Sequence, residues 1–292
     1  MTKQLTNILA FTVVILLLTS CRVERAARYI YSTTPANVNN FTKKGESKLN
    51  ATYFGDGKSE NGGVQMQAAY AFSNHWAAMA SYTNKWERQA ERYDTTRFYR
   101  ERLFSGSIIE TNVFDSSVIM YKRLNYELGL GYFYHIGNSN KTIFYVYGGL
   151  GFGKQTMTDN GLDSNSIAYS RYYSGNITNY FLQFGYNLRA SDNFCFSIGN
   201  KLTTSFFKQT SITYSKQEAE YFYLDKVDNN SLFIWEPYLN VQFGLPKYQW
   251  VKLDMQMLLS GSNLGYNYPK ANNVSMSIGL SFDISKMKKL KH

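Results

Sequence analysis

The sequence predicts an all-β protein, an up-and-down antiparallel transmembrane β-barrel of about ten strands with a narrow, filled lumen. Three observations predict it. After residue 46, strand-like stretches are joined by connections that alternate between short and long, the pattern of a barrel with tight turns at one rim and larger loops at the other. Within the stretches, apolar residues alternate with small or polar ones at a period of two. Aromatic residues make up 17% of the chain and prolines number only four, which favours strands and interfacial belts over helix or disorder. A mean hydropathy of −0.37 is compatible with this, because a barrel strand is apolar on one face only.

Residues 1–20 read as a lipoprotein signal peptide. Lys3 supplies a short positive start, and Ile8–Leu18 is an apolar run broken only by Thr12, too short to span a bilayer as a helix. Leu18-Thr19-Ser20-Cys21 resembles the lipobox of bacterial lipoproteins, in which the cysteine is acylated and becomes the first residue. The alternative is an ordinary signal peptide cleaved near a chance cysteine. Residues 21–46 are then expected to be a periplasmic lead from lipidated Cys21, partly ordered at best. The second cysteine, Cys195, falls on an inward phase and reads as a structural thiol. Two cysteines do not make a disulfide framework.

Residues 47–284 carry the barrel. Short connections are expected at Ser73–Asn74, Gly137–Lys141, Arg189–Asp192 and Leu245–Gln249, and long ones at 85–124, 154–177, 207–231 and 260–273. The second strand sets Val64, Met66, Ala68, Tyr70 and Phe72 against Gln65, Gln67, Ala69 and Ala71. The eighth sets Phe233, Trp235, Leu239 and Phe243 against Glu236, Tyr238, Asn240 and Gln242. The tenth sets Val274, Met276, Ile278 and Leu280 against Ser275, Ser277, Gly279 and Ser281. In the fifth, 142–153, both faces are apolar or aromatic. Its Gly148–Gly153 pattern is expected to relieve crowding at a curved wall rather than to cradle a phosphate.

Alternation alone does not separate a lipid-facing barrel from a soluble one. The apolar sets, however, match the roughly 9–11 residues a tilted strand needs to cross a bilayer. The opposite faces are rich in Gly, Ser, Asn and Gln, and Trp76, Tyr132, Tyr134 and Trp235 gather near strand ends. A ten-strand barrel is narrow, and Gln65, Gln67, Phe133, Phe181, Gln183, Asn187, Tyr238, Asn240, Gln242 and Gln256 are expected to fill it. An even strand count places both termini on the periplasmic side, with residues 285–292 a basic tail. Closure requires the first and last strands to pair, setting Lys48 against Asp283 at one rim.

The lipobox, the Lys44-Gly45-Glu46 lead into the first strand, Gln67-Ala68-Ala69-Tyr70-Ala71 with Asn74-His75-Trp76, and Tyr147-Gly148-Gly149-Leu150-Gly151-Phe152-Gly153 together resemble small outer-membrane β-barrel lipoproteins of the Bacteroidota. The resemblance covers roughly residues 40–285 and implies the fold and the bacterial outer membrane, with no defined activity. Barrels of this kind often end on an aromatic residue, whereas this chain runs on past Phe282 into Lys286–His292. Asp94-Thr95-Thr96 resembles an O-glycosylation acceptor of the same bacteria.

Catalytic chemistry finds little support. His75 and His135 fall at the short-turn side and His292 in the tail, out of reach of a site at the outer mouth. No cysteine or histidine spacing suits a metal, and no cofactor is implied. The inward charges Glu127, Lys201, Glu236, Lys252 and Asp254 are expected to pair as a network that stiffens the lumen, with Lys201 bonded to Glu236. The 85–124 loop interleaves basic and aromatic residues and reads first as long strand extensions or a charge-mixed surface loop, and second as a binding surface. Arg88, Arg92, Arg97, Tyr99 and Arg100 are its candidates for engaging lipopolysaccharide, a glycan or a surface partner protein. The net charge is +10 on the whole chain and +9 once Lys3 is removed with residues 1–20. On a secreted chain this points to outer-membrane lipids and lipopolysaccharide phosphates rather than nucleic acid. A structural or surface-interaction role is the first expectation. A narrow barrel for small solutes comes next, and a lipid-modifying enzyme last.

Overall fold

The computed structural model describes residues 28–55, 60–94, 114–137, 141–163, 166–228, 231–245, 247–262, 270–272 and 274–287. The barrel strands are β2 (Ser47–Gly55), β3 (Gly62–Ala71), β4 (Trp76–Asp94), β5 (Phe114–Ile136), β6 (Thr142–Leu162), β7 (Ala168–Arg189), β8 (Phe194–Ile212), β9 (Ser231–Leu245), β10 (Tyr248–Leu259) and β13 (Val274–Asp283). Each pairs antiparallel with its neighbour, and β13 returns to β2, closing a ten-strand barrel without an edge. Three short strands stand outside that count: β1 (Tyr29–Ser32), β11 (Gly261–Ser262) and β12 (Lys270–Asn272). A helix α1 (Lys216–Tyr221) follows β8 and a single turn α2 (Ile284–Met287) follows β13.

The apolar phases point outward. Met66, Leu128, Leu130, Met276 and Ile278 are exposed, while their polar neighbours Gln65, Gln67, Glu127, Ser275 and Ser277 are buried. This is the reverse of a water-soluble barrel, in which the apolar face is the buried one. Two aromatic girdles bound the belt. Trp76 packs on Tyr132 and Phe144 on Tyr186 toward the short turns, while Tyr53 packs on Trp86, Tyr82 on Tyr126 and Tyr180 on Phe206 toward the long connections. Tyrosine and tryptophan suit this depth because each joins an apolar ring to a polar edge.

The 85–124 stretch is in large part long strand extension, the first of the readings the sequence allowed. β4 runs on to Asp94 and β5 begins at Phe114, paired from Asp94↔Phe114 downward. Lys85, Arg88, Lys122 and Arg123 therefore belong to strands that continue beyond the belt. Their alternation reads as loop because on β4 both phases are mostly polar beyond Trp86, and on β5 Val118-Ile119-Met120-Tyr121 is apolar on both.

The expected periplasmic lead also differs from what is found. Over its described part, residues 28–42 run inside the barrel, and Pro35 to Phe41 are buried throughout. Arg28 lies at the long-connection rim, bonded to Asp159 near the end of β6. At the other rim Gly45 donates to the Ala71 carbonyl and Lys44 to the Asn74 side chain. The lead therefore threads the lumen from end to end. A ten-strand barrel is slightly wider than one its own side chains can fill, and an extended chain takes up the remaining space.

Candidate functional site: the threaded lumen

Strand alternation delivers a column of amides to the lumen, and these hold the lead by its backbone. Gln256 accepts from the Ala36 N–H at 2.6 Å and donates to the Ala36 carbonyl at 3.2 Å. Gln183 brackets Asn37 in the same way, accepting at 3.3 Å and donating at 2.8 Å. Asn187 donates to the Asn39 carbonyl at 2.8 Å and Gln65 to the Pro35 carbonyl at 3.0 Å. His135 Nε2 meets the Thr42 carbonyl at 3.0 Å. A buried backbone must find partners for its N–H and carbonyl groups. Here side-chain amides supply what a neighbouring strand would otherwise give.

Interleaved with this column, aromatic rings are laid over glycines on the facing strand. Tyr147 opposes Gly131, Phe181 opposes Gly149, Tyr145 opposes Gly185, and Tyr238 opposes Gly199. A Cβ on Gly131 would stand 2.1 Å from the Tyr147 ring, and one on Gly199 would stand 2.5 Å from the Tyr238 hydroxyl. The glycines are there because the rings need their space. Tyr145 and Tyr238 join their hydroxyls in a short hydrogen bond. Phe41 of the lead closes the layer, 5.7 Å from Phe133.

Above the amides lies a charged tier. The lysine Nζ of Lys201 sits 2.8 and 2.9 Å from the two oxygens of Glu127, across the lumen. Lys201 does stand opposite Glu236 in the ladder, as expected. The expected Lys201–Glu236 bond is nonetheless replaced. The Tyr31 hydroxyl of the lead donates to Glu236 at 3.0 Å, and the long lysine reaches Glu127 instead. Asp254 is held by the amides of Asn240 and Gln242, at 2.7 and 2.6 Å, and not by Lys252. Arg123 and Lys85 both bond Glu87, a cluster that sequence reading missed because it set no register for the strand extensions that bring the three together.

At the long-connection rim Arg28 is fully buried, 2.7 Å from Asp159, and its guanidinium stacks 3.8 Å from the Phe222 ring. Tyr214 donates to the same carboxylate at 3.0 Å. Burial, opposed by Arg28 and reinforced by Asp159, holds the Tyr214 phenol above its ordinary value. Helix α1 starts on a capping box between Ser215 and Glu218. It leads into Phe222, Leu224 and Val227, which pack with Ile30, Ile119 and Tyr173 over the lead. β1 also pairs in parallel with β12, so two connections close over the threaded chain.

The barrel closes as the sequence requires, with Lys48 opposite Asp283. Their side chains turn elsewhere. Lys48 lies 5.5 Å from the Phe41 ring, and Asp283 accepts from Ser285 and the Lys286 backbone. Cys195 is buried, as its phase predicts.

Of the interaction candidates, Arg88 is an exposed strand residue bonded to Glu60 at 2.6 Å, and Arg92 lies in β4. Arg97, Tyr99, Arg100 and Cys21 lie outside the described residues. A second basic group appears where sequence reading sought none. Lys154 on β6 and Lys208 on β8 both pair with Asn176 of β7, and Lys122 on β5 is one rung higher beside Thr156. All three lysines are exposed, each on the outward phase that carries Phe152, Phe206 and Tyr126 below. The signal was available for two of them: Lys154 and Lys208 each stand two residues past an outward aromatic at the end of an alternating run.

No family model and no curated protein matches the sequence. Among solved structures the chain is similar to the attachment invasion locus protein Ail of Yersinia pestis, at 13% identity over 82% of this chain and 98% of that one, with a TM-score of 0.28. It is also similar to the toluene transporter TodX of P. putida, at 7% identity over 84% and 91%, TM-score 0.35. A third is OmpT, an outer membrane protein of Vibrio cholerae, at 7% identity over 81% and 95%, TM-score 0.26. The transmembrane barrel described here stands on its own closure, outward apolar belt and threaded lumen.

Proposed function

We propose that the protein is a lipid-anchored outer-membrane barrel whose role is structural or surface-interacting rather than transporting. The observation that carries this reading is the occupied lumen. The lead, the aromatic–glycine layer and the charged tier occupy the lumen at successive depths among the described residues. A closed barrel with an outward apolar belt is the architecture of outer membranes. The lipobox ending at Cys21 supplies the anchor, and the long-connection rim is the one that faces the cell exterior.

The lysine group supports that orientation. Strands spaced about 4.8 Å apart put Lys154 and Lys208 roughly 10 Å from one another across β7. No acidic residue shares their outward face on β6, β7 or β8 at that level. Three cations just beyond an aromatic girdle suit the phosphates of a glycolipid leaflet, which attract basic side chains at the headgroup level.

Planar-bilayer recording tests the reading. The whole protein should insert without steady conductance, and a stable open current would replace this proposal with the narrow solute barrel. In parallel, a Lys122→Gln/Lys154→Gln/Lys208→Gln variant should retain several-fold less phosphorylated glycolipid through purification. Unchanged retention would remove the lysine group from the argument.

A further inference from the structure

We infer that the chain is threaded outward: the lead enters the barrel at the exterior rim, so the segment that precedes residue 28 is delivered at the cell surface and a lipid on Cys21 is held away from the inner leaflet. This rests on the orientation proposed above, with the long connections facing out. The geometry that carries it is the course of residues 28–46. Gly45 and Lys44 are tied to the short-turn rim, Asn37 and Ala36 to amides midway, Tyr31 to the charged tier, and Arg28 to Asp159 at the long-connection rim. Each contact belongs to a different depth, and the order along the chain is monotonic. Arg28 is buried beneath Phe222 and Tyr214, which fixes the end of the thread and not only its middle.

Reach decides which leaflet an anchor can use. Seven residues separate Phe152, the last outward aromatic of β6, from Asp159. At about 3.3 Å per residue and a tilt near 40°, Asp159 stands roughly 18 Å above the belt. The seven residues from Cys21 to Ala27 span at most about 25 Å when fully extended. That length, spent on rising over the rim and crossing the wall before it descends, does not carry Cys21 below the outer leaflet. The inner leaflet lies a further ~25 Å below, the height of the apolar band, and the direct way through the lumen is already filled. An acyl group on Cys21 in the inner leaflet and a barrel threaded in this sense are therefore incompatible. The sequence-derived arrangement, with a periplasmic lead, would need the thread reversed or withdrawn.

Cysteine labelling in whole cells separates the two arrangements. In a Cys195→Ser background, Gln217→Cys marks the α1 rim, Asp192→Cys marks the short-turn rim, and Arg25→Cys marks the chain before the thread. A membrane-impermeant maleimide should label Gln217→Cys and Arg25→Cys in intact cells, and Asp192→Cys only after permeabilisation. Labelling of Gln217→Cys only after permeabilisation would overturn the orientation. Labelling of Gln217→Cys in intact cells, with Arg25→Cys reached only after permeabilisation, would overturn the threading while leaving the orientation intact. A short epitope inserted between Ala26 and Ala27 provides an independent readout with antibody on intact cells. Silence of both probes on intact cells counts against the proposal, because a segment outside the cell is open to each.

Discussion

Replacing Lys201 with methionine probes the charged tier most directly. Lys201 is 1% exposed and is the cation bonded to Glu127, while Glu236 faces it from the adjacent strand. The substitution keeps an unbranched side chain, one atom shorter, and removes its charge, leaving two carboxylates in the same tier. Ser81 and Asn125 each offer Glu127 one hydrogen bond at 3.3 Å, and Tyr31 offers Glu236 one at 3.0 Å. These contacts soften the loss without neutralising it. Removing one partner of a buried ion pair typically costs about 3–5 kcal/mol, because the remaining charge is uncompensated. Glu127→Gln should cost less, since the ammonium can then turn to Glu236, already opposite it in the ladder. The double variant Lys201→Met/Glu127→Gln should recover part of the single lysine loss. Equilibrium unfolding in urea from lipid vesicles, followed by tryptophan fluorescence, reads all three. A Lys201→Met variant within ~1 kcal/mol of the parent, or costlier behaviour from Glu127→Gln, would refute the electrostatic account of this tier.

Other outcomes follow from neighbouring contacts. Gly131→Val should block assembly or lower stability by more than the roughly 1–3 kcal/mol of ordinary overpacking, because its Cβ falls on the Tyr147 ring; heat-modifiable migration on a gel checks it. Exchanging Lys48 and Asp283 should still allow closure, which rests on backbone pairing, but cost roughly 1–3 kcal/mol in the same urea unfolding, the penalty for leaving buried polar partners unmatched, since Lys48 is buried and Asp283 holds Ser285 and the Lys286 N–H. Asp159→Asn should speed tryptic cleavage after Arg28 in the folded protein several-fold, because that bond is protected by a buried guanidinium held on the lost carboxylate. Unchanged cleavage would show that Phe222 and its neighbours hold the thread end by themselves.

The wall of the barrel was legible because period-two alternation is a local property. Val64 to Phe72 and Val274 to Leu280 declare their outward face residue by residue, and a closed sheet leaves little choice of partner for the first and last strands. The aromatic–glycine pairs were half legible: the glycine-rich strand was visible, but which ring lies over which glycine depends on register. Two things were decided only in three dimensions. Lys201 bonds Glu127, seventy-four positions away in sequence and across the lumen, because Tyr31 had already engaged Glu236. The lead carries no alternation, since its neighbours are side-chain amides on several strands rather than one regular ladder. Sequence periodicity records how a segment meets a single repeating environment. Residues 28–42 meet Gln65, Gln183, Asn187, Gln242 and Gln256 in turn, and only the closed barrel brings those together.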